Sequence, residues 1–143
     1  MPSEFKFSVA KPSLVNMIWP FVEEHISEPI KHSNDELDID VIKQGILDGE
    51  VLLFLVMLDK DIIASMTLEC ITFPTGKTMM HISTVGGSQM SSWLDGALHN
   101  LHKLAKEQGC KEVYGLGRAG WTKVLKKHGY EQIRITLRKK LED

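Results

Sequence analysis

The alternation of apolar and polar positions divides the chain into ten segments. Phe5-Lys6-Phe7-Ser8-Val9 alternates with period two and predicts a short strand that ends before Pro12. Ser13 is then placed to cap a helix with Leu14, Met17, Ile18, Phe21, Val22 and His25 on one face, kinked or split at Pro20 and closed by Pro29. Asn34-Asp35-Glu36 reads as a loop. Asp38 or Asp40 caps a second short helix that carries Val41, Ile42, Ile46 and Leu47 to a stop near Gly49. Val51 to Leu58 is apolar at every position, the pattern of a central strand covered on both faces. Asp59-Lys60-Asp61 turns the chain into a partner strand, Ile62 to Phe73. Ile62, Ala64, Met66, Leu68 and Cys70 face one way there, and Ile63, Ser65, Thr67, Glu69 and Ile71 the other.

Pro74-Thr75-Gly76-Lys77 turns the chain again, into a strand from Thr78 to Val85 that is expected to break at Gly86-Gly87. Trp93, Leu94, Ala97, Leu98, Leu101, Leu104 and Ala105 recur at helical spacing up to a cap at Gly109. Lys111 to Gly117 reads as a strand with glycine at alternate positions. Gly120 to His128 reads as a short helix with Trp121, Val124 and Leu125 inward. Glu131 to Leu141 sets Ile133, Ile135 and Leu137 against Arg134, Thr136 and Arg138, the pattern of a last strand with one wet face. The order β-α-α-β-β-β-α-β-α-β predicts an α/β chain, with a mixed, mostly antiparallel sheet flanked by helices in a single domain over residues 1–143.

Composition narrows this. A chain of 143 residues that is 43% apolar and 25% charged is long enough for one sizeable core. The net charge of −2 argues against a general nucleic-acid binder, yet it is unevenly spread. Residues 1–61 hold 12 acidic against 5 basic side chains, and residues 118–143 hold 3 against 8. The longest apolar run is too short to cross a membrane, and two cysteines without a signal-like N-terminus fit a reducing, cytoplasmic setting with free thiols.

The stretch Thr78 to Gly109 is strand, turn, helix. A helix start there leaves backbone N–H groups unpaired, so it can hold a phosphate without any particular side chain. Glu69 and His81 on adjacent strands are candidate bases, weighed against a solvent-facing Glu and a hydrogen-bonded strand His. Cys70 near His81 has a nucleophile reading, which core packing among Met66 and Leu68 outweighs. His99 and His102 fit a solvated helix face better than a metal site.

The element order, the break after the fourth strand and the ending Gly129-Tyr130 together resemble the GNAT family of N-acyltransferases, over nearly the whole chain. The tail Gly117-Arg118-Ala119-Gly120-Trp121-Thr122-Lys123-Val124-Leu125-Lys126-Lys127-His128-Gly129-Tyr130 is similar to small GNAT-like proteins of tailed bacteriophages. The resemblance implies that acetyl-CoA or CoA lies where the fourth and fifth strands splay apart, with its pyrophosphate on the loop that opens the long helix. The family pattern, Gln or Arg, two residues, Gly, one residue, Gly or Ala, falls on Gln89-Met90-Ser91-Ser92-Trp93-Leu94. Gln89 matches, Ser92 and Leu94 replace the small residues, and Leu94 is expected to place a side chain where backbone amides must approach the pyrophosphate. Gly86-Gly87 with Ser88 and Gln89 is the alternative loop. The implied ligand residues are therefore Thr84, Val85, Gly86, Gly87, Ser88, Gln89 and Ser92, with Arg118 in the basic tail.

The implied reaction is acetyl transfer to a primary amine on a small molecule or a protein. Glu69, His81 and Ser83 are its catalytic candidates, and a backbone N–H near Ser83 to Val85 would polarise the carbonyl. Leu125 stands where the family commonly has its tyrosine acid, which leaves Tyr114, Tyr130 and Ser83 as substitutes. The acidic run 34–40 lies where the family builds its acceptor pocket, although capping and solvation explain it equally well. A reading from a different class is a GNAT-fold phage protein without transfer chemistry. It would have a binding or structural role in host cytoplasm or virion, with virion proteins or its own copies as partners.

Overall fold

The computed structural model describes residues 4–115 and 119–142. β1 (Phe5–Val9) leads through a single 3-10 turn at Pro12–Leu14 into α1 (Val15–Ile30), and α2 (Ile39–Leu47) follows. The Asp38 carboxylate accepts from the N–H groups of Asp40 and Val41, which satisfies two donors that the helix itself cannot pair. β2 (Val51–Leu58), β3 (Asp61–Thr72) and β4 (Thr78–Gly87) form an antiparallel meander, and β1 adds to β2. α3 (Met90–Glu107) crosses over the sheet so that β5 (Glu112–Gly115) pairs parallel to β4, and α4 (Ala119–Lys126) follows. The strand order is β1-β2-β3-β4-β5, which leaves β5 at an edge. This is the mixed, mostly antiparallel sheet flanked by helices that the sequence predicts.

Each face of the sheet carries its own core. Phe54, Val56, Met66, Leu68, Met80 and Ile82 pack against Trp93, Leu98 and Leu101 of α3. On the other face Val51, Leu53 and Leu55 pack against Val15, Trp19, Val22 and Ile26 of α1 and Ile42 and Ile46 of α2. β2 is apolar throughout because both faces of it are covered. The face under α1 also buries Ser65, Thr67 and Thr84, and two bonds satisfy them. Thr67 Oγ1 and Thr84 Oγ1 lie 2.7 Å apart, and His25 Nδ1 lies 2.9 Å from Ser65 Oγ.

Ser13 lies in the 3-10 turn and does not cap α1, which runs past Pro29 to Ile30, and three further expectations change. α1 runs through Pro20 as one helix and buries Val15, Trp19, Val22 and Ile26, which leaves Met17 and Phe21 exposed. Helical spacing is met by both stripes, and the one that brings Trp19 and Ile26 onto the sheet is the one used. The strand expected to end at Val85 continues to Gly87, with Gly86 opposite Ser65 and Gly87 opposite Ala64. The expected last strand, Glu131 to Leu141, pairs with nothing among the described residues, and Ile135 and Leu137 are 73% and 91% exposed. The segment reaches Asn34 in the α1–α2 loop, to which Arg138 donates at 3.4 Å.

Candidate functional site

β4 and β5 pair from Met79 opposite Glu112 as far as Ile82 opposite Gly115, and β4 then continues to Gly87 with no partner on that side among the described residues. Its pairing with β3 is interrupted at the same place. Thr67 lies opposite Thr84 and Leu68 opposite Ile82, so Ser83 is the extra residue of a β-bulge. Among the described residues, the stretch of β4 from Ser83 to Gly87, about 13 Å long at the rise of a strand, has no partner on its β5 side.

The upper end of that edge runs into α3 through Ser88 and Gln89. Ser88 N–H donates to the Ile63 carbonyl (3.0 Å), and Trp93 Nε1–H donates back to the Ser88 carbonyl (2.7 Å). The turn is thereby pinned from both sides, and Gln89 caps the helix in the left-handed region with φ 58°. No carboxylate lies in the first turn of α3, and Ser88, Gln89, Ser91 and Ser92 are exposed around it. Leu94 does not stand in the way of an approaching anion as its position in the motif implies. Its side chain, only 7% exposed, turns with Trp93 into the core.

Gly86 and Gly87 are glycines for a different reason from the one the motif implies. A Cβ on Gly86 would lie 1.8 Å from the His25 carbonyl oxygen of α1, and one on Gly87 2.4 Å from the Ala64 Cα. The missing side chains make room for α1 and β3. Thr84 spends its hydroxyl on Thr67, and Val85 packs against the α3-side core. Arg118 lies outside the described residues.

The three catalytic candidates come together on the α1/α2 face. Glu69 is the direct cross-strand partner of His81, and Ser83 Oγ lies 3.3 Å from His81 Nδ1. His81 Nε2 is buried and has no hydrogen-bond partner among the described residues. Burial holds the imidazole below its ordinary value of 6.5, partly offset by the nearby Glu69 charge, so the ring is neutral at pH 7. A ring nitrogen that is neutral, inward and unpaired is the chemistry of a base. Cys70, next along β3, points to the opposite face and receives the Cys110 thiol at 3.7 Å, and burial and that bond push its own thiol up to about 11. It is no partner for His81.

Beside His81 opens a cleft of about 1000 Å³ that wraps the free edge of β5. His81, Tyr114 and Phe73 line it on the α1/α2 side, and His102 and Tyr130 on the α3 side. Of the substitute acids, Tyr114 hydroxyl accepts from Lys77 Nζ (3.0 Å). Tyr130 hydroxyl is paired with His102 Nε2 (2.7 Å) and is pushed up to about 12 by burial. Ser83 alone touches His81. Sequence reasoning missed the His25–Ser65 contact and the position of Tyr114 opposite His81, because both depend on register, which the residues alone do not fix.

His25, His81 and His102 all have their pKa lowered, in each case chiefly by burial. The unfolded chain therefore binds protons near pH 6.5 that the folded chain refuses, and stability rises with pH across that window. The urea midpoint is expected to hold from pH 8 to 7 and to fall as pH drops below about 6.5. A midpoint that stays flat down to pH 5 would contradict it.

No protein-family model matches the sequence, and no curated protein is similar to it in sequence. Solved structures are similar in fold. A predicted acetyltransferase of Clostridium acetobutylicum determined with acetyl-CoA superposes at TM-score 0.69 over 96% of both chains, at 16% identity. A ribosomal-protein-alanine N-acetyltransferase of Brucella melitensis superposes at 0.72 over 97% of this chain and 100% of its own, at 8% identity. An aminoglycoside acetyltransferase from an uncultured soil sample also reaches 0.72, at 7% identity, over 97% of this chain and 99% of its own. The chain has the fold of acetyltransferases of the GNAT type.

Proposed function

We propose that the protein transfers an acetyl group from acetyl-CoA to a primary amine. The observation that carries this is the bulge at Ser83, which sets Ser83 beside His81 at one end of a stretch of β4 whose other end runs into the first turn of α3. The residues present fit the donor. The N-terminal end of α3, the exposed hydroxyls of Ser91 and Ser92 and the absence of a carboxylate in its first turn suit a pyrophosphate, although the Ser92 amide already donates to the Gln89 carbonyl.

Acetyl-CoA, when bound, supplies an acyl group activated as a thioester. His81 does the proton work. With Nδ1–H donating to Ser83 Oγ, the Nε2 lone pair is free to take the proton of an amine arriving from the α1/α2 face, directly or through one water. Ser83 holds the tautomer and ring orientation. Negative charge developing on the acyl oxygen is met by a backbone N–H of Ser83 to Val85, at the bulge where the β3–β4 register shifts. The amine nitrogen gives up its remaining extra proton to the departing sulfur as the carbon–sulfur bond breaks, so no dedicated acid is needed. Calorimetric titration with acetyl-CoA and CoA tests the reading. Saturable binding of both is expected, and no heat at millimolar ligand would overturn it.

A further inference from the structure

From Glu131 onwards the segment after α4 is exposed throughout its described residues, and two of its arginines touch the rest of the protein. Arg134 lies over the Tyr114 ring with its guanidinium carbon 5.9 Å from the centroid, and Arg138 donates to Asn34 Oδ1. Leu137 and Leu141 are 91% and 86% exposed. Residues 131–136 line the cleft together with His81, Tyr114 and Phe73.

We infer that this segment is a displaceable strap, and that the acceptor is an extended cationic peptide that takes its place across the cleft. The inference rests on the acyltransfer reading for the word acceptor, but not for the strap. Both anchors are weak surface contacts, a cation over a ring and a long hydrogen bond. Ile133 is 56% exposed and Ile135, Leu137 and Leu141 more, so the segment has little burial to lose on leaving. What the groove holds in the free protein is a peptide with a cation on an aromatic ring and a second cation four residues on, about 13 Å away if extended, at the acidic α1–α2 loop. A lysine-bearing peptide of the same spacing matches both anchors and brings a primary amine.

The test compares the full-length protein with its R134A/R138A variant. Both substitutions fall on exposed residues, so the fold is retained. The probe is a fluorescein-labelled peptide with the sequence of residues 133–140, Ile-Arg-Ile-Thr-Leu-Arg-Lys-Lys, whose lysines are also acceptor amines. Polarisation should show about five- to tenfold tighter binding to the variant, because the competing strap has been released. Transfer assays should show KM for the peptide falling by the same factor with kcat unchanged, and spermidine should be a poorer acceptor. Equal peptide affinity for the two proteins, no binding to either, or preference for spermidine would overturn the inference. Peptide binding that follows the expected order in a protein that does not bind acetyl-CoA would leave the strap standing and remove the acyltransfer reading.

Discussion

Replacing Gly86 with alanine is expected to lower the unfolding free energy by about 3 kcal/mol or more, at or beyond the upper end of ordinary overpacking. The added methyl carbon would lie 1.8 Å from the His25 carbonyl oxygen and 2.7 Å from its carbon. Both are backbone atoms of α1, so no rotamer change relieves the clash and the helix itself must back away. α1 cannot do so cheaply, because Val15, Trp19, Val22 and Ile26 bury one of the two cores and His25 bonds Ser65 across the same gap. A small domain holds only about 5–15 kcal/mol in total, so much of its stability rests on this absence of a side chain. Gly76→Ala is the control. Its φ of +89° makes alanine strained, but nothing lies within 4 Å, so it should cost about 1 kcal/mol. Urea unfolding decides it. If the two variants are equally stable, α1 does not sit where it is described. Loss of ligand affinity in Gly86→Ala would accordingly report a displaced helix and says nothing about a phosphate at that residue.

The second large effect belongs to His81. His81→Ala should lower kcat/KM by about 10²- to 10⁴-fold, the range of a positioned base, while stability falls by only about 1 kcal/mol, the loss of the single bond from Nδ1 to Ser83 Oγ. The wild-type profile has a definite sign. The base works when neutral, so activity rises with pH through the pKa of His81 and is flat above it. Burial sets that pKa below 6.5, so the acid limb lies below 6.5. The Glu69 charge partly offsets burial, so Glu69→Gln should move the limb to still lower pH. A limb at or above 6.5, or one that ignores Glu69, would assign the proton transfer to another group.

Much of the frame was legible in the sequence. Val51–Leu58 forms β2 over the bounds its apolar run predicts, Asp38 caps α2, and the spacing of Trp93, Leu94 and Leu101 marks the buried face of α3. These are local signals, each set by one period or one cap. What could not be read there depends on pairing. Glu69 meets His81, and Ser83 bulges, only because β3 and β4 settle in one register out of several that the alternation allows. Gly86 illustrates the same limit. Its residue type signals close approach, but whether a ligand or a helix makes the approach is a tertiary fact. The final alternating segment obeys the strand pattern and still pairs with no strand among the described residues, since alternation alone does not specify a partner.

Trp93 has an optical consequence. Its indole is buried to within 1% and donates to the Ser88 carbonyl at the turn where the proposed pyrophosphate would settle. An anion drawn to that turn would polarise the carbonyl and the ring together. Light emitted by this one side chain would then change with occupancy, and the protein would need no dye to show when its first site is filled.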